Sequence, residues 1–157
     1  MIVVDTNVLA YLLLPGPKTE LAEILRELDR EWAAPPLWRS ELRNVFSGYL
    51  RRDLLQRSAA VALMEEAEAI LAAHDQPVSS EHVFQLVSTS QCSAYDCEFV
   101  AAAQQLDAPL VTEDRAILAA FPDLAQSLHQ ATSCGQRSMA PAGSTCGSQP
   151  RSSASRA

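Results

Sequence analysis

Lysine is nearly missing from this chain: Lys18 is the one lysine in 157 residues, and every other basic side chain is arginine. Acidic residues outnumber basic ones by 19 to 12. Such a balance argues against a protein that holds nucleic acid by overall attraction. Zinc spacing is absent as well. Cys92, Cys97, Cys134 and Cys146 form no Cys-x-x-Cys pair, and His74, His82 and His129 are too scattered for a two-histidine ligand motif or a catalytic base. No apolar run approaches 18 residues and Asp5 interrupts the first one, so neither a membrane span nor a signal peptide is expected. Free thiols without a leader suit a reducing cytoplasm. With metal thiolates and histidine chemistry set aside, any catalysis has to rest on carboxylates.

Two apolar runs end in acids. Met1-Ile2-Val3-Val4 stops at Asp5-Thr6-Asn7, and Pro109-Leu110-Val111-Thr112 stops at Glu113-Asp114. A short β-branched run that ends abruptly in polar residues is the pattern of a strand buried on both faces. In a doubly wound parallel sheet the carboxyl ends of such strands open onto the ligand crevice. Asp5 and Asp114 are therefore expected to face one ligand.

Two further acids lie on helical patterns. From Arg39, residues Leu42, Val45, Phe46 and Tyr49 form an inward stripe, with Glu41 on its rim. After Ser93, residues Asp96, Phe99, Val100 and Ala103 share one line, so Asp96 points inward at a helix start, while Glu98 lies on another side. Each acid has a plain structural alternative. Asp5 and Asp114 can start turns, Glu41 can be a solvated helix acid, and Asp96 can be the third residue of a capping box opened by Ser93. Four converging carboxylates repel one another unless a cation sits among them, and together they imply a divalent-metal site.

Asp5-Thr6-Asn7, Ser40-Glu41-Leu42, Ser93-Ala94-Tyr95-Asp96-Cys97 and Leu110-Val111-Thr112-Glu113-Asp114 resemble, in order and spacing, the four acidic motifs of PIN-domain ribonucleases. Within that group the chain is similar to the VapC-type toxins of bacterial and archaeal toxin–antitoxin pairs. The resemblance covers about residues 1 to 130 and rests on the four motifs jointly. It implies a three-layer α/β/α sandwich around a small parallel sheet, and a catalytic and metal-holding quartet of Asp5, Glu41, Asp96 and Asp114 for Mg2+ or Mn2+. Glu98 and Glu113 are not carried over as primary ligands. Thr6, Asn7, Ser40 and Thr112 are the groups expected to orient the carboxylates. The implied activity is metal-dependent hydrolysis of RNA phosphodiester bonds by an endoribonuclease that dimerises and is silenced by a small antitoxin. The alternative is a non-catalytic PIN-fold binding or scaffold protein. Two other acid-bearing α/β classes fare worse: a receiver domain and a haloacid-dehalogenase-like phosphatase each need a lysine at the phosphoryl group, and the latter needs Asp where Asn7 stands.

Other expectations concern organisation. One domain of ordinary core size fills residues 1 to 130, with helices near Thr19–Glu31, from Arg39, at Ser58–His74, at Ser80–Ser88, after Ser93 and at Arg115–Ala120. An extended piece at Trp32–Trp38, a short segment at Pro77-Val78 and a last strand near Ala125–His129 complete it. Residues 131 to 157, rich in Ser, Gly and Pro, are expected to form a disordered tail. That tail carries three arginines and no acid, leaving the body at a net charge of −10. Arg39, Arg43, Arg51, Arg52 and Arg57 make one basic stretch, joined by Arg115. It reads as a phosphate-contact patch, as a solvated helix face or, given the resemblance, as an antitoxin contact.

Overall fold

In the computed structural model, residues 1–71 and 74–138 are described. The sheet is built from β1 (Ile2–Val4), β2 (Trp32–Ala33), β3 (Leu110–Val111) and β4 (Ala125–Gln126), all parallel, in the order β2-β1-β3-β4. Val3 pairs with both Ala33 and Leu110, and Leu110 in turn with Ala125, which fixes β1 and β3 as the central strands. All three residues of β1 are buried, so the sheet is covered on both faces. The chain leaves β1 toward β2 on one side and, later, leaves β3 toward β4 on the other. The point of reversal lies between β1 and β3, where such a sheet opens a crevice at its carboxyl edge.

The helices supply the covering layers. They are α1 (Thr6–Leu13), α2 (Thr19–Leu28), α3 (Trp38–Arg51), α4 (Arg57–Leu71), α5 (Ser80–Thr89), α6 (Ala94–Leu106), α7 (Arg115–Ala120) and α8 (Leu128–Ser138). Helix α6 runs through the centre, with Phe99 to Ala103 buried consecutively; small residues let it lie close against β1 and β3. The three-layer α/β arrangement expected from the sequence is the one observed.

Local differences have physical reasons. Helix α1 directly follows β1, whereas Val8 to Leu12 shows no polar interval that would announce a helix. It buries Val8, Leu9, Ala10 and Leu13 and leaves Tyr11 and Leu12 partly buried, so apolar side chains occupy both faces and mask the amphipathic period. No strand forms at Pro77-Val78; a single parallel bridge joins Ala34 to Asp75 instead. The last strand stops at Gln126, and α8 begins at Leu128.

Helix α8 also corrects the expected domain limit. It runs past Gln130 to Ser138 and packs on α2, with Leu128, Ala131 and Thr132 buried at i, i+3 and i+4 and Thr132 Oγ1 donating to the Leu128 carbonyl at 3.0 Å. The residues from 139 onward, the rest of the expected tail, lie outside the described residues. A chain stopped after Gln130 should therefore melt below the full chain, by roughly 5 to 10 °C, since two helical turns and two buried side chains are lost. Thermal unfolding of the two proteins checks this; equal melting temperatures would show that the body ends at Gln130.

Candidate active site

The residues that end β1 and β3 meet the starts of three helices. Asp5 is the N-cap of α1, accepting the Asn7 backbone N–H at 3.4 Å. Asp114 caps α7, accepting the Ala116 and Ile117 N–H groups at 2.7 and 3.0 Å. Asp96 completes the capping box of α6: its Oδ2 accepts from the Ser93 N–H at 2.9 Å and the Ser93 hydroxyl at 2.7 Å, while Ser93 Oγ accepts the Asp96 N–H. The capping alternatives raised by the sequence are thus realised, and they do not displace the convergence. All three acids and Glu41 of α3 line one pocket of about 520 Å³. Helix N-termini carry partial positive charge, which is how three carboxylates are tolerated in one place.

Two threonines hold the acids in position. Thr112, fully buried, donates to Asp5 Oδ2 at 2.7 Å and accepts the Asp114 N–H at 2.9 Å, so one hydroxyl ties the ends of β1 and β3 together. Thr6 donates to Glu41 Oε2 at 2.5 Å, drawing α3 onto the start of α1. Asn7 supports Asp5 through its backbone, and Ser40 lines the pocket.

The electrostatics of the pocket are one-sided. Burial pushes the Asp5 carboxyl above its ordinary value, and nearby Asp114 adds to this against the hydrogen bonds from Thr112 and Asn7. Burial likewise raises Glu41, opposed by Thr6 and reinforced by the charges of Asp5, Asp96 and Glu98. No Lys or Arg lines this pocket among the described residues. Three of the acids are anchored through one oxygen and keep the other free of any hydrogen-bond donor among the described residues: Glu41 Oε1, Asp96 Oδ1 and Asp114 Oδ2. Hard oxygen donors, mutual repulsion and a missing counter-charge make a donor set that fits a divalent cation. Among the described residues no three acidic, histidine or cysteine side chains close into a ready-made cage, so waters would have to fill much of an ion's shell.

The neighbouring acids are engaged elsewhere. Burial works to raise Glu113, but Lys18 and the Leu128 N–H overcome it and hold the carboxyl below its ordinary value; the N–H distance is 2.9 Å and the lysine also lies 5.0 Å from the Tyr11 ring. Glu98 lines a separate pocket beside Phe84 and Pro36. None of the arginines of the basic stretch lines this pocket among the described residues. Arg39 stacks on Trp38 and pairs with Asp75 at 2.6 Å, Arg52 donates to the Gly48 carbonyl at 2.9 Å, and Arg43 and Arg57 border a groove between α3 and α4. The Asp75 partner of Arg39 lies 36 positions away, which hid that pairing from a local reading. Conversely, Asn44 and Tyr95 line the pocket without having been singled out; Asn44 sits three residues after Glu41 and Tyr95 immediately before Asp96.

Among the described residues no helix is long and apolar enough to cross a membrane. In comparison with known proteins, the chain is 29% identical over 126 residues to a protein named Ribonuclease VapC3 from Pyrobaculum aerophilum, spanning 78% of this chain and 96% of that one. Its fold is similar to that in the crystal structure of FitAcB from Neisseria gonorrhoeae, with a TM-score of 0.59, 23% identity, and coverage of 80% of this chain and 95% of that one. The family model described as PIN domain matches residues 2–123. Because that match runs through all four pocket acids, from the end of β1 to the start of α7, and spans most of the sheet, the chain belongs to the PIN domain family.

Proposed function

We propose that this protein is a divalent-metal-dependent endoribonuclease and the toxin of a toxin–antitoxin pair. The observation that carries the activity is the pocket of four acids with no basic residue among its described lining, at the reversal point of the sheet. The likeness to a relative named a ribonuclease supports RNA as the substrate. A small antitoxin as partner, a homodimeric state and action in the cytoplasm belong to the same proposal.

Asp5, Asp96 and Asp114 would hold Mg2+ or Mn2+, directly or through waters, with Glu41 completing the set. When bound, the ion supplies a water of lowered pKa and neutralises charge gathering on the phosphoryl oxygens. Thr112 fixes the Asp5 rotamer and, through its contact with the Asp114 N–H, sets the spacing of the two strand-end acids. Glu41, raised in pKa and with Oε1 unengaged, suits holding a proton taken from an attacking water. Burial of the Asp5 carboxyl limits competing water around it.

Purified protein incubated with single-stranded RNA is expected to give internal cleavage with Mg2+ or Mn2+, none in excess chelator, and recovery when the ion is restored. Absence of cleavage with every divalent ion tried would favour the non-catalytic binding or scaffold protein.

A further inference from the structure

We propose that Tyr95 is the base-stacking platform of this site, the side chain on which a nucleotide of single-stranded RNA is laid beside the scissile phosphate. The inference deepens the endoribonuclease reading and rests on it. The chain has three tyrosines. Tyr11 and Tyr49 are partly buried and each has a cation near its ring, Lys18 at 5.0 Å and Arg52 at 5.1 Å. Tyr95 differs in both respects: its side of α6 leaves it 64% exposed, and no cation covers it among the described residues. It stands immediately before Asp96 and lines the same pocket as the four acids. Its position is set by the capping box, because Ser93 and Asp96 lock the first turn of α6 and leave the second residue facing outward.

The charge of the pocket favours such a surface. With four carboxylates and no Lys or Arg among its described lining residues, the site has no side chain able to pair with a phosphate. Apart from what a bound ion contributes, the lining itself offers a nucleotide uncharged contacts. An exposed phenol ring offers one that is indifferent to phosphate charge and tolerant of base identity. Ser40 and Asn44, one turn apart on α3, line the same pocket and supply hydrogen-bonding groups for a base edge or a ribose hydroxyl.

The test is steady-state cleavage of a fluorescently end-labelled, mixed-sequence single-stranded RNA pool in Mn2+ by wild type and by the Y95A, Y95F and Y95W variants. F84A, which removes another exposed ring on α5 outside this pocket, serves as control. Y95A is expected to lose roughly tenfold to a hundredfold in kcat/KM, mostly through a higher KM, at the scale of one lost base stack. Y95F and Y95W should recover most of that loss, the loss should not vary with salt because no ion pair is removed, and F84A should cleave as wild type does. Equal KM for Y95A and wild type, with wild type active, would overturn the platform alone. Should Y95A instead change the sedimenting mass while KM stays put, the ring is a protein contact and the proposal fails. A wild type that cleaves no RNA under any ion overturns the endoribonuclease reading and the platform with it.

Discussion

Replacing Asp5 with Asn is expected to reduce RNA cleavage on the order of a thousandfold or more while leaving the fold intact. The two halves of that expectation have separate causes. Asn is as good an N-cap as Asp, and its amide oxygen can still accept the Asn7 N–H that opens α1. The Thr112 hydroxyl, which donates to Asp5 in the wild type, can accept a hydrogen bond from the new amide, so the link between β1 and β3 survives in altered form. What disappears is a negative charge that is 7% exposed and already disfavoured by burial and by Asp114. In the absence of metal, Asp5→Asn should melt at the wild-type temperature or above it. On the proposed function, cleavage should fall because a group acting at the reacting centre is removed, a class of change whose effects reach three orders of magnitude and beyond. Cleavage rates and chelated melting curves check both halves. Undiminished cleavage would remove Asp5 from the site, and a chelated variant melting far below wild type would make it a structural cap and no more.

That expected combination, harmless to the fold and fatal to activity, is tied to how the acids were legible in the first place. Asp5 and Asp114 stood out because an apolar strand has no internal reason to end in a carboxylate, and the parallel topology then carried both to the same edge. Asp96 stood out through the helical line it shares with Phe99 and Val100, two buried residues. Glu41 was visible only as a rim residue, because what fixes it is the hydroxyl of Thr6, 35 positions earlier. The features that escaped the sequence depend on long-range partners or on helices without a plain apolar stripe. Arg39 looked like part of a basic face until Asp75 was placed beside it by the Ala34 bridge. Helix α1 was hidden because apolar residues occupy its partly buried face as well as its buried one. Helix α8 was hidden by composition: its inward residues Leu128, Ala131 and Thr132 keep helical spacing, yet two of them are small or polar and its neighbours are Ser and Gln.

Protons and divalent ions should compete for the same pocket, and the stability of the protein is expected to reveal it with opposite slopes. In metal-free protein, Asp5 and Glu41 have folded pKa values raised above 3.8 and 4.5, the first cause in both being burial. The native state therefore takes up protons before the unfolded chain does. The contribution of these groups is complete below their unfolded values and is lost as pH rises through the raised folded values, so it works against the metal-free fold at neutral pH. A bound cation reverses the sign, since it favours the ionised carboxylates and must displace protons to enter. At ten times its dissociation constant the ion adds about 1.4 kcal/mol, or roughly 3 to 6 °C in melting temperature for a domain of this size. That gain should be largest near neutral pH and shrink as pH falls through the raised folded values, where protons take the place of the ion. Glu113, lowered through Lys18 and the Leu128 N–H, titrates in the other direction, but it does so with and without metal and cancels in the difference. The measurement is melting temperature with Mn2+ minus melting temperature with chelator, across that pH range, for wild type and Asp5→Asn. Wild type should show a difference that grows with pH, and the variant a smaller one with a flatter slope. A difference that is zero, or that stays constant with pH in both proteins, would mean that the four acids do not form a cation site.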